Sequence, residues 1–287
     1  VENPHIGIIG VPFDGSTRGR PGARFAPRCI REQLYSYTTF IKHVDLEKLS
    51  IRDFGDVPTF FGSVERNKDE IRKYVADIID RCGRLIVLGG DHSITEPVFG
   101  VMSERYSSIG LVVFDAHLDL REVMPNTVSS GTVMGDIIKK YDDKISPKNI
   151  MYVGIRDFVN SKYYLEKADR LDIKIFSGYD ILSGKITANE IIEHIKIVAD
   201  RVDALYVSFD VDSLDCVFAP GVNAPSSLGL RPEFVSYLLE YLGKLSRTRV
   251  LDITELAPAY DPVGITCKVV ASCILYFIVG VVSALFR

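Results

Sequence analysis

The sequence predicts a three-layer α/β fold, a central parallel sheet with helices on both faces, in a single domain spanning residues 1–287. Three observations predict it. Short runs rich in Val, Ile, Leu and Phe recur along the whole chain. Between them lie longer stretches whose apolar residues return every three or four positions, the period of a helix. No low-complexity linker or internal repeat divides the pattern.

The runs fall at residues 6–11, 85–88, 110–114, 151–153, 173–176, 205–209 and 249–253. They are nearly continuous in apolar character, as expected of strands buried on both faces of a parallel sheet. Helical periodicity is clearest over 69–81, 188–202 and 232–242. Strands alternating with helices imply right-handed crossovers and a sheet covered on both sides. Residues 269–286 carry no charge between Lys268 and Arg287. Their length reaches the lower edge of a membrane span. Ser272, Cys273, Gly280 and Ser283 interrupt the apolarity and no polybasic flank adjoins it, so a buried final helix is expected, with no membrane partner.

Hydrophobic residues make up 47% of the chain and charged residues 25%, enough for a sizeable core. The net charge of −4 supplies no concentrated basic patch, which argues against nucleic acid or an anionic membrane as a partner. Cys29, Cys82, Cys216, Cys267 and Cys273 are scattered without CxxC spacing, which reads as reduced thiols in a cytoplasmic protein. No basic stretch followed by an apolar one opens the chain, so no secretory signal is expected.

In open α/β sheets the ligand site lies beyond the carboxyl ends of the strands. GGDHS (89–93) follows the run 85–88, DAHLD (115–119) follows 110–114, and DVDSLD (210–215) begins where 205–209 ends. Three strand ends, expected to be neighbours, thus deliver His92, Asp115, His117, Asp119, Asp210 and Asp212. An extended backbone would point the alternate residues of each motif the same way. Two imidazoles with four carboxylates form a hard-to-borderline donor set, suited to Mn more than to structural Zn. Four carboxylates would repel one another without cations, and two divalent ions would resolve that repulsion.

In this order, GGDHS, DAHxD and DxDxxD resemble the three metal motifs of the ureohydrolase family, which comprises arginases, agmatinases and formimidoylglutamases. GVPFDGSTRGRPGARFAPRCIREQL (10–34) and DITELAPAYDPVGIT (252–266) resemble that family's opening and closing segments, so the likeness covers nearly the whole chain. The resemblance implies an arginase-like fold, two Mn2+ per chain and a homo-oligomer, trimer or hexamer. It implies that His92, Asp115, Asp119 and Asp210 hold one ion and that Asp115, His117, Asp210 and Asp212 hold the other. A metal-bridging hydroxide would attack the amidine carbon, Asp119 would carry a proton to the leaving amine, and Glu255 would face the amidine.

Arginases and agmatinases usually place a histidine shortly after DAHxD. Here Ser130 of SSGT (129–132) stands in that position, next to Gly131. DAHLDLR with SSGT, APGVNAP (219–225) and the GR-x-GA-x-x-AP run (19–27) resemble the formimidoylglutamase branch instead. The substrate expected is therefore N-formimidoyl-L-glutamate, cleaved to L-glutamate and formamide. Its two carboxylates call for cations, and Arg121, two residues beyond Asp119, is placed to serve. Arg18, Arg20 and Arg156 are further candidates. Ser130 and Gly131 are expected at the same substrate pocket. The alternatives are an agmatinase or arginase-type guanidine hydrolase without its usual histidine, and a non-catalytic metal-binding subunit. Survival of all six metal-type residues and Glu255 disfavours the last.

Overall fold

The computed structural model describes residues 3–41, 44–122, 129–261 and 263–286. One sheet of eight strands organises them. Its members are β1 (Ile6–Gly10), β4 (Ile51–Asp56), β5 (Arg84–Leu88), β6 (Ile109–Phe114), β7 (Ile150–Ile155), β8 (Lys174–Ser177), β9 (Ala204–Asp210) and β10 (Thr248–Thr254). They run parallel in the spatial order β4-β1-β5-β10-β9-β6-β7-β8. The central strands are buried along their whole length, hence the continuous apolar runs.

Side chains alternate between the two faces with period two. Ile86, Leu88, Val112, Phe114, Val207 and Phe209 enter a core shared with α1 (Ala26–Leu34), α7 (Ala188–Arg201), α8 (Pro232–Lys244) and α9 (Ile265–Leu285). Leu85, Val87, Leu111, Val113 and Tyr206 face a second core with α2 (Val64–Ile78), α3 (Thr95–Ser103), α4 (Val133–Lys140) and α5 (Lys162–Arg170). The short α6 (Gly178–Leu182) follows β8. Outside the sheet, β2 (Phe40–Ile41) and β3 (Val44–Asp45) form an antiparallel pair.

Strand β4 is not legible as an apolar run. Its sequence IRDFGD is mostly exposed because it lies at the sheet's edge and pairs only with β1. Arg31 of α1 reaches over it to Asp53 and Asp56.

The apolar final segment is α9, a helix of 21 residues with 67% of its most apolar window buried. It is long and apolar enough to cross a membrane, yet here it is a core helix lying against α8. The two backbones touch at Gly243 and Gly280. A Cβ on Gly280 would stand 2.0 Å from the Glu240 carbonyl oxygen, and one on Gly243 would stand 2.2 Å from that of Phe277.

One expectation is corrected here. Cys29 and Cys267 are joined in a disulfide that ties α1 to the first turn of α9. Cys82, Cys216 and Cys273 remain free thiols. The pairing escaped the sequence because the partners are 238 residues apart and meet only through tertiary packing.

Candidate metal centre

The register of the sheet builds the site. Leu88 pairs with Ile253, Ile253 with Phe209, and Phe209 with Phe114, so four chains leave the sheet from one row. Contrary to the expectation from sequence, the three motif strands are not all neighbours: β10 lies between β5 and β9. That intervening strand supplies Glu255, directly after its last residue, so all four central strands contribute.

At the end of β5, Gly90 lets the chain turn under Phe13, whose carbonyl oxygen would lie 1.6 Å from any Cβ there. Asp91 then caps the turn that presents His92, accepting from the backbone N–H of Ser93 at 3.0 Å and of Ser16 at 2.7 Å. Beyond β6 the backbone does not stay extended, contrary to the alternation argument. Asp119 sits at φ 46°, in the left-handed region, and Glu255 at φ 64°. Residues Val211–Ser213 form a turn capped by the Asp210 carboxylate. Convergence comes from turns and locally strained backbone rather than from the period of a strand, and such strain clusters at functional sites.

His92 Nδ1 lies 3.3 Å from Asp115 Oδ2, 3.1 Å from Asp119 Oδ2 and 3.2 Å from Asp210 Oδ2. His117 Nδ1 lies 3.0 Å from Asp212 Oδ2 and 3.5 Å from Asp115 Oδ1. Two groups therefore each gather donor atoms close enough for one ion: His92, Asp115 and Asp119, and Asp115, His117 and Asp212. Asp115 belongs to both. His92 Nδ1 and Asp115 Oδ2 are buried and have no hydrogen-bond partner. Buried polar atoms rarely stay unpaired, so donors left open and aimed at a common point fit a cation.

The electrostatics agree. Asp212 pushes the His117 imidazole up to about 12. Burial opposes charge on His92, yet the carboxylates of Asp115, Asp119 and Asp210 close to its Nδ1 hold it well above its ordinary value. Burial, then repulsion from Asp212 and Asp115, lifts the Asp210 carboxyl well above the usual range, and burial with Asp115 lifts Asp119. Burial acts against ionised Asp115 as well, but His117 and His92 outweigh it and hold it at about 2. Glu255 is raised well above its ordinary value by burial and by Asp91.

A cavity of about 90 Å3 opens onto these groups, lined among others by Arg18, His117, Arg121, Ser130, Gly131, Asn223 and Glu255. The Glu255 carboxylate accepts the backbone N–H of His92 at 2.7 Å. Ser130 is buried and donates its backbone N–H to the Ser16 carbonyl at 2.9 Å. A Cβ on Gly131 would meet Arg18 Cδ at 3.0 Å and Arg121 Cδ at 3.3 Å, so this glycine lets the two arginines flank it. Both arginines are exposed, and neither guanidinium has an ion pair among the described residues.

The other two arginines do different work. Arg20 donates to the carbonyl oxygens of Pro220 and Val222 and stacks on Tyr260, with its guanidinium carbon 4.1 Å from the ring centre. Arg156 is buried and donates to the carbonyls of Gly154, Asp212, Ser213 and Leu214, holding the DVDSLD loop from behind. His194 packs edge-on against Phe176 and takes no part in the site. Sequence reasoning passed over Asn160, whose amide accepts from Leu118 N–H and donates to the Ala116 carbonyl, pinning the DAHLD turn. It also passed over Ser208 and Asp252, which lie behind His92.

Known proteins share this sequence pattern and fold. The model of the arginase family matches residues 4–280. A formimidoylglutamase from Halalkalibacterium halodurans is 30% identical over 280 residues, covering 96% of this chain and 86% of its own length. An agmatinase from Bacillus anthracis is also 30% identical, over 268 residues, covering 91% and 86%. The solved structure of Trypanosoma cruzi formiminoglutamase with Mn2+ superposes with a TM-score of 0.88 at 22% identity, covering 98% of this chain and 94% of that one. The chain belongs to the arginase family and is a hydrolase of C–N bonds in linear amidines.

Proposed function

We propose that this enzyme hydrolyses N-formimidoyl-L-glutamate to L-glutamate and formamide, using two Mn2+ per chain. The observation that carries the substrate is the pair Arg18 and Arg121 flanking Gly131 at the cavity mouth, both without an ion pair among the described residues. Two cations facing the entrance suit a substrate with two carboxylates and disfavour the primary ammonium of agmatine. Ser130 in place of a histidine supports the same reading.

His92, Asp115, Asp119 and Asp210 would hold one ion, and Asp115, His117, Asp210 and Asp212 the other. The donor set and the manganese found in the Trypanosoma cruzi formiminoglutamase support this identity. When bound, the ions would supply a hydroxide near neutral pH and neutralise charge that builds up on the substrate. The protein does the rest. Glu255, buried at the cavity wall, anchors the amidinium by a charge-assisted hydrogen bond. Asp119 carries a proton to the leaving nitrogen, so that the amine departs neutral. Water adds across the C–N bond: its oxygen ends in formamide and its protons on the released nitrogen. Membership of the arginase family is what supports a homo-oligomer, trimer or hexamer.

The deciding assay scores formamide against urea with Mn2+ present. Formamide release from formimidoylglutamate should be the faster. Urea release from agmatine at the greater rate would overturn the reading in favour of an agmatinase. Because the arginines are exposed, each contact is worth about 0.2–1 kcal/mol, so Arg121→Ala alone should lower kcat/KM up to about fivefold. Arg18→Ala with Arg121→Ala should lower it further, at unchanged metal content. Asp115→Ala should cost both ions, since Asp115 faces both imidazoles.

A further inference from the structure

Behind His92, away from the cavity, a wholly buried chain of hydroxyls ends on a carboxylate. Asp252 of β10 accepts from Thr95 Oγ1 at 2.7 Å and from the Tyr206 hydroxyl at 2.6 Å, both on Oδ2. Its Oδ1 accepts from Ser208 Oγ at 2.7 Å. Ser208 Oγ lies 3.0 Å from His92 Nε2. All five side chains are fully buried. Ser208 and Asp252 are directly paired on neighbouring strands, so the sheet's register holds them together.

Counting protons sets the direction of this chain. A hydroxyl has one proton to give. Ser208 gives its proton to Asp252, so towards His92 it can only accept. His92 Nε2 must therefore carry the N–H. In the neutral ring the lone pair is then on Nδ1, the atom that faces Asp115, Asp119 and Asp210 and has no hydrogen-bond partner. Asp252 has no cation paired with it among the described residues, and an apolar residue there would leave three buried hydroxyls without an acceptor.

We infer that Asp252 is a positioning residue for the metal centre: acting through Ser208, it holds His92 in the tautomer and orientation that present Nδ1 to one of the two ions. The inference rests on the reading of His92 as a ligand. It makes a selective claim, because the chain reaches His92 and not His117, so only one of two binding steps depends on it.

The test is a titration of the metal-free, full-length protein with Mn2+, with free ion followed by electron paramagnetic resonance. The native chain should take up two ions. Ser208→Ala and Asp252→Asn should each weaken one step by about 10–100-fold and leave the other within about threefold, the scale known for groups that orient a ligand from behind. Tyr206→Phe removes a buried hydrogen bond to the same carboxylate but leaves the Ser208 link intact. It should lower thermal stability without singling out one step. Should Asp252→Asn not fold, Ser208→Ala, which loses only a hydroxyl, reads the same link. Unchanged affinities in Ser208→Ala, or both steps weakening together in all three variants, would overturn the inference with the two-ion reading intact. Failure of the native chain to bind two ions would remove that reading and the inference with it.

Discussion

The carboxylates around His92 and His117 raise the pH at which both imidazoles lose their protons. A metal ion must therefore displace protons, and its binding should tighten as pH rises. The metal-free chain should behave in the opposite way. Imidazoles with raised values contribute stability that is complete below the ordinary histidine value of about 6.5 and is lost as pH climbs towards about 12 for His117. With a chelator present, the melting temperature should fall between about pH 6.5 and pH 9. With excess Mn2+ the gap between loaded and metal-free protein should widen over that range. A metal-free melting temperature that rises with pH would contradict the site's electrostatics. All of these ligand-type residues were legible in the sequence, because each follows an apolar run where a strand must end. Ser208 and Asp252 carried a weaker signal, a polar residue within a continuous apolar run, which shows that it is buried but not what it touches.

Among the elements, the central strands announced themselves by apolar composition and β4 did not, since an edge strand has little to bury. Helix α9 was visible as an uncharged stretch at the lower edge of a membrane span in length, and the small and polar residues interrupting it favoured a core helix. In the structure α9 packs against α8. Two glycines face each other there, so the helices approach until backbone meets backbone. Gly280→Val should force them apart and cost about 3 kcal/mol, the upper end of the overpacking range. A drop of about 6–12 °C in melting temperature should follow. Little change in melting temperature would mean that the helices do not meet at these positions. Metal stoichiometry should survive the substitution, since neither α8 nor α9 carries any of the ligand-type residues.

At the scale of the whole molecule, the three-layer class followed from the alternation of runs, whereas the strand order β4-β1-β5-β10-β9-β6-β7-β8 did not. An apolar run shows that it is buried and carries no label for its neighbour. The order matters for chemistry, because it sets β10 and Glu255 among the metal-motif strands. The disulfide between Cys29 and Cys267 has a further effect. It closes residues 29–267 into a covalent ring. Within that ring one broken peptide bond separates nothing. A protease that nicks a single surface loop between the two cysteines should yield a product that runs as an intact chain on a denaturing gel without reductant and as two pieces with it. Two pieces without reductant would mean that the ring is open.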